Sequence, residues 1–225
     1  MDTVSSRGSV PAFATRAAAA LAGFVALTAA AWHHRGPLGI DRTLLQGYTV
    51  RSRSAVYRIA RVVTELGSPV LVVVVAFVAA GALWLRHGDI MRAGVCVAAP
   101  GIAGVAETLA KALVGRVRPA TAAITGESGN GFPSGHAAGF TALAVILTLA
   151  YFVRPRAKAR LLVVAAVCSL LMAATRVIVG AHYPSDVIAG VLLGGLIADT
   201  VWFGAGRVPA SFFGARNTRR ISGTT

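Results

Sequence analysis

Three short stretches hold the residues able to do chemistry. They are "KALVGRVRP" at 111–119, "GFPSGHAAGF" at 131–140 and "TRVIVGAHYPSD" at 175–186. Lys111, Arg118 and Arg176 are three cations without an acidic cluster beside them. Such a set suits an anion with several oxygens, and phosphate fits: an Arg fork pairs with two oxygens at once, while Lys adds a point charge. Ser134 stands where a helix N-cap is expected, so the N–H groups of Gly135 and His136 would face a bound anion. Gly135, lacking a side chain, lets the backbone come close to it. His182 and Asp186 are four apart, with Pro184 suited to the first turn of a helix between them. A carboxylate on one imidazole nitrogen fixes the tautomer and leaves the other nitrogen free to attack. This makes His182 the candidate nucleophile, forming a phosphohistidine, with Asp186 as its partner. His136 then protonates the leaving oxygen and later activates water. No cofactor or metal is expected, because the eight acidic residues are scattered and none are paired to hold Mg²⁺.

The elements that must position these residues are apolar. Of the 225 residues, 56% are hydrophobic and 13% charged, with a mean hydropathy of +0.69. Soluble domains carry about 25% charged residues, so the chain reads as a membrane protein. Six segments approach the roughly 20 residues needed to cross a bilayer: 17–32, 68–85, 93–114, 137–153, 161–181 and 187–206. The expected fold is all-α, a polytopic bundle of six transmembrane helices forming one domain over 1–225, with flexible tails at 1–15 and 208–225. The first segment also resembles a cleavable secretory signal, but it is long for one and an even helix count favours a span. Gly190 and Gly194 have the spacing that lets helices pack closely. Cys96 and Cys168 lie in apolar runs without metal or redox spacing, and read as buried, inert thiols.

The net charge of +14 does not imply nucleic acid, because the basic residues punctuate apolar helices instead of forming a stripe. The bilayer and its anionic headgroups are the expected neighbours. With the N-terminus inside, twelve Lys and Arg fall on the inner side, six on the outer, and four near the outer helix ends. "RPRAKAR" at 154–160 is the clearest inside marker, whereas the basic 33–61 loop weighs against this orientation. Lys111, Arg118, His136, Arg176, His182 and Asp186 then share the outer face. Ionisable groups at a membrane edge are costly, so their convergence from three loops points to a site.

These stretches resemble the three signature motifs of the type 2 phosphatidic acid phosphatase family: Lys-x6-Arg-Pro, Pro-Ser-Gly-His and Ser-Arg-x5-His-x3-Asp. The resemblance implies that Lys111, Arg118, Ser134, Gly135 and Arg176 bind phosphate, that His136 is the general acid, and that His182 is the nucleophile with Asp186 as partner. Thr175 departs from the usual Ser but keeps the hydroxyl. Similar motifs occur in vanadium-dependent haloperoxidases, which are soluble, and the apolar spans here argue against that reading. Glu107, four residues before Lys111, reads as its counter-ion or as a substrate contact. Asp41 has no assigned role, and its loop reads as an interfacial segment or a lid.

The expected activity is metal-independent hydrolysis of a membrane lipid phosphate or diphosphate. Polyprenyl diphosphate stands slightly ahead of phosphatidylglycerophosphate and phosphatidic acid. A lipid-linked phosphotransferase and a non-catalytic binder or transporter of phospholipid headgroups are the alternatives. The location implied is the inner (plasma) membrane, with the site open to the extracytoplasmic side.

Overall fold

A computed structural model describes residues 10–34, 36–46, 50–152 and 154–208. Among these, every regular element is helical: α1 (Val10–His34), α2 (Gly39–Leu44), α3 (Ala55–Thr64), α4 (Pro69–His87), α5 (Ile90–Val114), α6 (Gly135–Tyr151), α7 (Pro155–Ile178) and α8 (Pro184–Ala205). Five of them, α1, α4, α5, α7 and α8, have 19 to 25 residues and are apolar enough to cross a membrane. The sixth span, α6, has 17 residues and about 25 Å of length, slightly less than a hydrocarbon core. It is the central helix, packing against α4, α5, α7 and α8. The multi-pass membrane bundle is therefore present, with one short member in its middle.

The helices start and stop for local reasons. Ser68 caps α4 through Leu71 N–H, with Pro69 in the first turn. Asp89 caps α5 through Arg92 N–H at 2.9 Å. Gly88 and Gly115 end α4 and α5 in left-handed conformations, both at φ 62°, where other residues are strained. Side chains on the outer faces are large and apolar, among them Val74, Phe77, Leu109, Val163 and Leu171, as lipid contact requires.

α6 and α8 run parallel, both starting at the site end. Gly190 and Gly194 form the seam between them: a Cβ on Gly190 would meet Ala137 Cβ at 3.0 Å, and one on Gly194 would meet Ala142 N at 3.0 Å. The close approach expected from their spacing is present.

Several expectations are corrected. Residues 10–15, read as tail, are the first turns of α1, where Phe13 stacks on Phe203 at 3.7 Å. The tail at 1–9 and that at 209–225 lie outside the described residues. Most of "RPRAKAR" belongs to the first turns of α7 and not to a loop. Cys96 is buried, but Cys168 is exposed on the outer face of α7. In a membrane an apolar environment does not require burial in protein, which is why hydropathy could not separate the two. The 33–61 loop contains α2 and most of α3. α3 buries Tyr57, Ala60 and Thr64 and exposes Val56, Ile59 and Val62 beside Arg58 and Arg61, the make-up of a helix lying at the interface.

Candidate active site

The site lies at the end of the bundle where α5 ends and α6 and α8 begin. Each motif is placed by a turn. After Gly115, the chain carries Arg116 inward and Arg118 across to the α7–α8 connection. Gly180, at φ 78°, turns the chain out of α7, and its carbonyl accepts from Thr121 Oγ1 at 2.8 Å. A Cβ there would meet the Thr121 side chain at 2.7 Å, so the turn that presents His182 has room only for glycine.

His182 has both ring nitrogens engaged. Nδ1 is 2.8 Å from the carbonyl of Gly131, and Nε2 is 3.0 Å from Arg118 Nη1. A carbonyl only accepts and a guanidinium only donates, so Nδ1 carries the proton and Nε2 its lone pair. The imidazole is neutral. Burial, followed by the charges of Arg118, Arg176 and Lys111, holds its pKa well below the ordinary 6.5.

The expected partnership with Asp186 takes a different form. Its Oδ2 is 3.6 Å from His182 Nδ1, too far for a hydrogen bond. That oxygen instead accepts from Tyr183 N–H at 2.9 Å, capping α8, while Oδ1 accepts from Arg116 Nη1 at 2.5 Å. The backbone of Gly131 orients the ring, and Asp186 supports it from behind. The i,i+4 spacing brought the two side chains near each other, but helix capping took the carboxylate.

Arg176, buried in the last turn of α7, donates to Thr64 Oγ1 at 3.1 Å and to Glu127 Oε1. Arg118 reaches the other oxygen, Oε2, at 3.4 Å, and donates to Ala181 O at 3.0 Å. One carboxylate therefore bridges the two arginines named from sequence. Burial of Glu127 favours its neutral acid, but the hydrogen bond and charge of Arg176, joined by Arg118, hold its pKa below the usual carboxylate range. Arg118 Nε, Arg176 Nε and Ser134 Oγ are buried without a protein partner. Ser134 occupies the N-cap position of α6 but its side chain makes no cap bond, so that hydroxyl remains available beside Gly135.

Lys111 pairs with Glu107 at 2.6 Å, the counter-ion reading of that residue. Glu107 also packs against Gly135, where any Cβ would collide with its carboxylate. His136, half-buried at the start of α6, lies in the field of Arg176, Glu127, His182 and Lys111. Thr175 turns its hydroxyl back to Met172 O at 2.7 Å, a helix bond that serves no site residue. The structure thus brings together Lys111, Arg118, Ser134, Gly135, His136, Arg176, His182 and Asp186, with Glu107 at their edge and Thr175 outside.

Three participants were not read from sequence. Arg116 is fully buried, bonded to Asp186, to Ser185 Oγ at 2.7 Å, to Asp41 Oδ2 at 2.6 Å and to Gly36 O at 2.8 Å. Asp41 also caps α2 through Leu38 N–H and accepts from Ser185 N and Oγ, each at 2.8 Å. Glu127 is the third. Four carboxylates at this end, Asp41, Glu107, Glu127 and Asp186, are therefore bound to an Arg or Lys. An apolar groove of about 540 Å³ between α4, α5 and α6 ends at Glu107 and Gly135, with Val72, Pro100, Gly104 and Gly139 along it.

The structure is thus a helical bundle, apolar enough to cross a membrane, that gathers Arg, Lys and His at one end beside an apolar groove. Residues 89–206 match the PAP2 superfamily, and the chain belongs to that superfamily. It is similar to two curated proteins named lipid A 1-phosphatase. That of Rhizobium etli is 36% identical over 102 residues, covering 41% of each chain, and that of Rhizobium johnstonii is 36% identical over 101 residues, covering 40% of this chain and 38% of the other. The match thus spans about two fifths of those relatives. The fold is that of a transmembrane PAP2-type phosphatidylglycerolphosphate phosphatase from Bacillus subtilis, at TM-score 0.73 and 20% identity, over 87% of this chain and 98% of the other.

Proposed function

We propose that the protein hydrolyses the terminal phosphate of a membrane lipid phosphate or diphosphate, without a metal, through a phosphohistidine. One observation carries this reading: Arg118 and Arg176 grip a single bridging carboxylate, and Arg118 also touches the lone pair of a neutral His182. A phosphate replacing that carboxylate presents more oxygens, and Arg118 Nε, Arg176 Nε and Ser134 Oγ are donors left for them. Arg118, drawn to the phosphate, then releases Nε2.

Nε2 attacks phosphorus and the bond to the lipid oxygen breaks. His136 gives that oxygen its proton. Water then attacks the phosphohistidine, losing a proton to His136, and inorganic phosphate leaves with His182 restored. Arg118, Arg176 and Lys111 stabilise the charge of the five-coordinate phosphorus. Magnesium is not required by this donor set, because the carboxylates of Asp41, Glu107, Glu127 and Asp186 already neutralise cations of the protein. The acyl or prenyl chain lies in the groove that ends at Gly135.

The active site faces the extracytoplasmic side of the inner membrane, as the basic start of α7 at the opposite end supports. A polyprenyl diphosphate in the outer leaflet is the first substrate to try. Similarity to the lipid A 1-phosphatases favours a second reading, lipid A carrying a 1-phosphate. Phosphate release by purified protein from polyprenyl diphosphate, lipid A, phosphatidylglycerophosphate and phosphatidic acid tests both. Release from none, with tight binding of several, would leave a headgroup binder. Phosphate recovered on an added alcohol instead of as free phosphate would indicate phosphotransfer.

A further inference from the structure

A second groove, of about 570 Å³, lies between α1 and α7 and is floored by α6 and α8. Its walls are apolar, with Ala17, Ala20, Val145, Leu162, Leu192 and Leu196 among them. Leu149 of α6 also lines it, fourteen residues beyond Gly135, so the groove opens about 20 Å along that helix from the catalytic end. It cannot serve the headgroup that meets His182.

The mouth of this groove is polar and carries net positive charge. Arg16 holds Asp199 through Nε at 3.1 Å and Nη2 at 3.0 Å, and its side chain remains 57% exposed. A guanidinium has five N–H donors, so this pair leaves some of them to face outward. Lys158, also lining the groove, sits with Nζ 5.4 Å from the centre of the Trp202 ring. The same first turns of α7 carry Arg156 and Arg160. Asp199 is the one acidic residue among the described residues lining the groove, and Arg16 engages it. A Trp beside basic residues, at the end of an apolar cleft, is the arrangement of a lipid headgroup layer.

We infer that this groove binds one anionic phospholipid of the leaflet opposite the catalytic face, its chain between α1 and α7 and its phosphate at Arg16 and Lys158. The complementarity is of charge and of solvent. The walls lie within spanning helices and suit hydrocarbon, while the mouth suits an anion at the membrane surface. The lipid also fills a structural gap. α1 packs mainly on α8 and touches α5 only slightly. Its inner end is held by the Arg16–Asp199 pair and the Phe13–Phe203 stack. A chain in the groove supplies the missing side of that contact.

Native mass spectrometry of the full chain in detergent, titrated with phosphatidylglycerol or with phosphatidylcholine of the same acyl chains, tests this. The wild type should retain one phosphatidylglycerol in preference to phosphatidylcholine. Lys158→Gln should cut that preference about fivefold, the effect of one basic residue at a headgroup. Ala159→Trp, at an exposed position lining the groove, should block the cleft and remove the bound lipid of either kind. Thermal unfolding of both variants without added lipid checks that they fold. Equal retention of the two lipids by the wild type, or undiminished retention by Ala159→Trp, would overturn the inference. A wild-type dimer that Ala159→Trp converts to monomer would also overturn it, by showing that a second copy fills the groove.

Discussion

Replacing Arg116 by Met removes the one cation that holds three parts of the site together. Its guanidinium makes five hydrogen bonds: to Asp186 at 2.5 Å, Asp41 at 2.6 Å, Ser185 at 2.7 Å, and Gly36 O at 2.8 and 3.2 Å. All three charged side chains of the cluster, Arg116, Asp41 and Asp186, have no exposure to solvent. Removing one member of a buried pair costs about 3–5 kcal/mol, because the other is left charged and unpaired. Here two carboxylates are stranded beside one another, so the upper part of that range applies. At roughly 2–4 °C per kcal/mol for a chain of this size, Arg116→Met should lower the melting temperature by about 10–15 °C in detergent. Arg116→Lys keeps the charge but cannot bridge both acids as a fork does, and should lose about half as much. Adding Asp41→Asn to Arg116→Met removes one stranded charge and should recover part of the loss. Differential scanning fluorimetry of the four proteins measures this. A loss of less than about 3 °C for Arg116→Met, or a further loss on adding Asp41→Asn, would refute the reasoning.

Other predictions concern the chemistry. His182→Ala should reduce turnover by at least about 10³-fold while keeping the helical circular dichroism spectrum, and rapid quench with labelled substrate should place phosphate on His182 alone. Because burial and the neighbouring arginines and lysine hold the His182 pKa below 6.5, the acid limb of kcat/KM should lie below that pH, and Arg118→Gln should move it upward. The same depression has a stability sign: as pH falls below 6.5 the unfolded chain takes a proton that the folded one refuses, so stability should fall in that window. Activity should survive EDTA and be inhibited by vanadate, which mimics five-coordinate phosphorus, and a strict need for added Mg²⁺ would count against the mechanism. In a background without Cys96 and Cys168, Ser128→Cys should react with an impermeant thiol reagent in spheroplasts and Arg154→Cys should not. The reverse result would place the site on the cytoplasmic side.

Much of this arrangement was legible in the sequence, and the parts that were not have physical reasons. Charge at the ends of apolar runs marked Lys111, Arg118, His136, Arg176 and His182, since a membrane makes such groups conspicuous. The spacing of Gly190 and Gly194 announced a close helix contact, though not that α6 is the partner. Asp41 and Arg116 were not paired, because 75 positions separate them and neither stands in a local pattern. Glu127 sits in a polar loop where an acidic residue needs no explanation until Arg176 is seen against it. α3 was hidden by its own composition: an interfacial helix alternates Arg with Val and Ile and matches neither a span nor a soluble helix. The partner of His182 was misread because an Asp three residues into a helix has a nearer use, capping it.

The glycine seam sets a measurement for the whole site. His136 rises from the first turn of α6, and His182 from the residues just before α8, so the separation of the proposed nucleophile and acid depends on how closely those two helices lie. The contact is largely main chain: Gly190 rests against the carbonyl of Ser134 and Gly194 against that of Ala138, with the Cβ atoms of Ala137 and Thr141 beside them. In the proposed mechanism the gap across which a proton and a phosphoryl group are handled is thus gauged mainly by main-chain contact. An added methyl at Gly190, which changes no charge, would spread the two helix starts by a fraction of an ångström. Misplacements on the order of 1 Å cost about a hundredfold in rate. The tolerance of the proposed reaction is therefore kept by two residues that carry none of its chemistry.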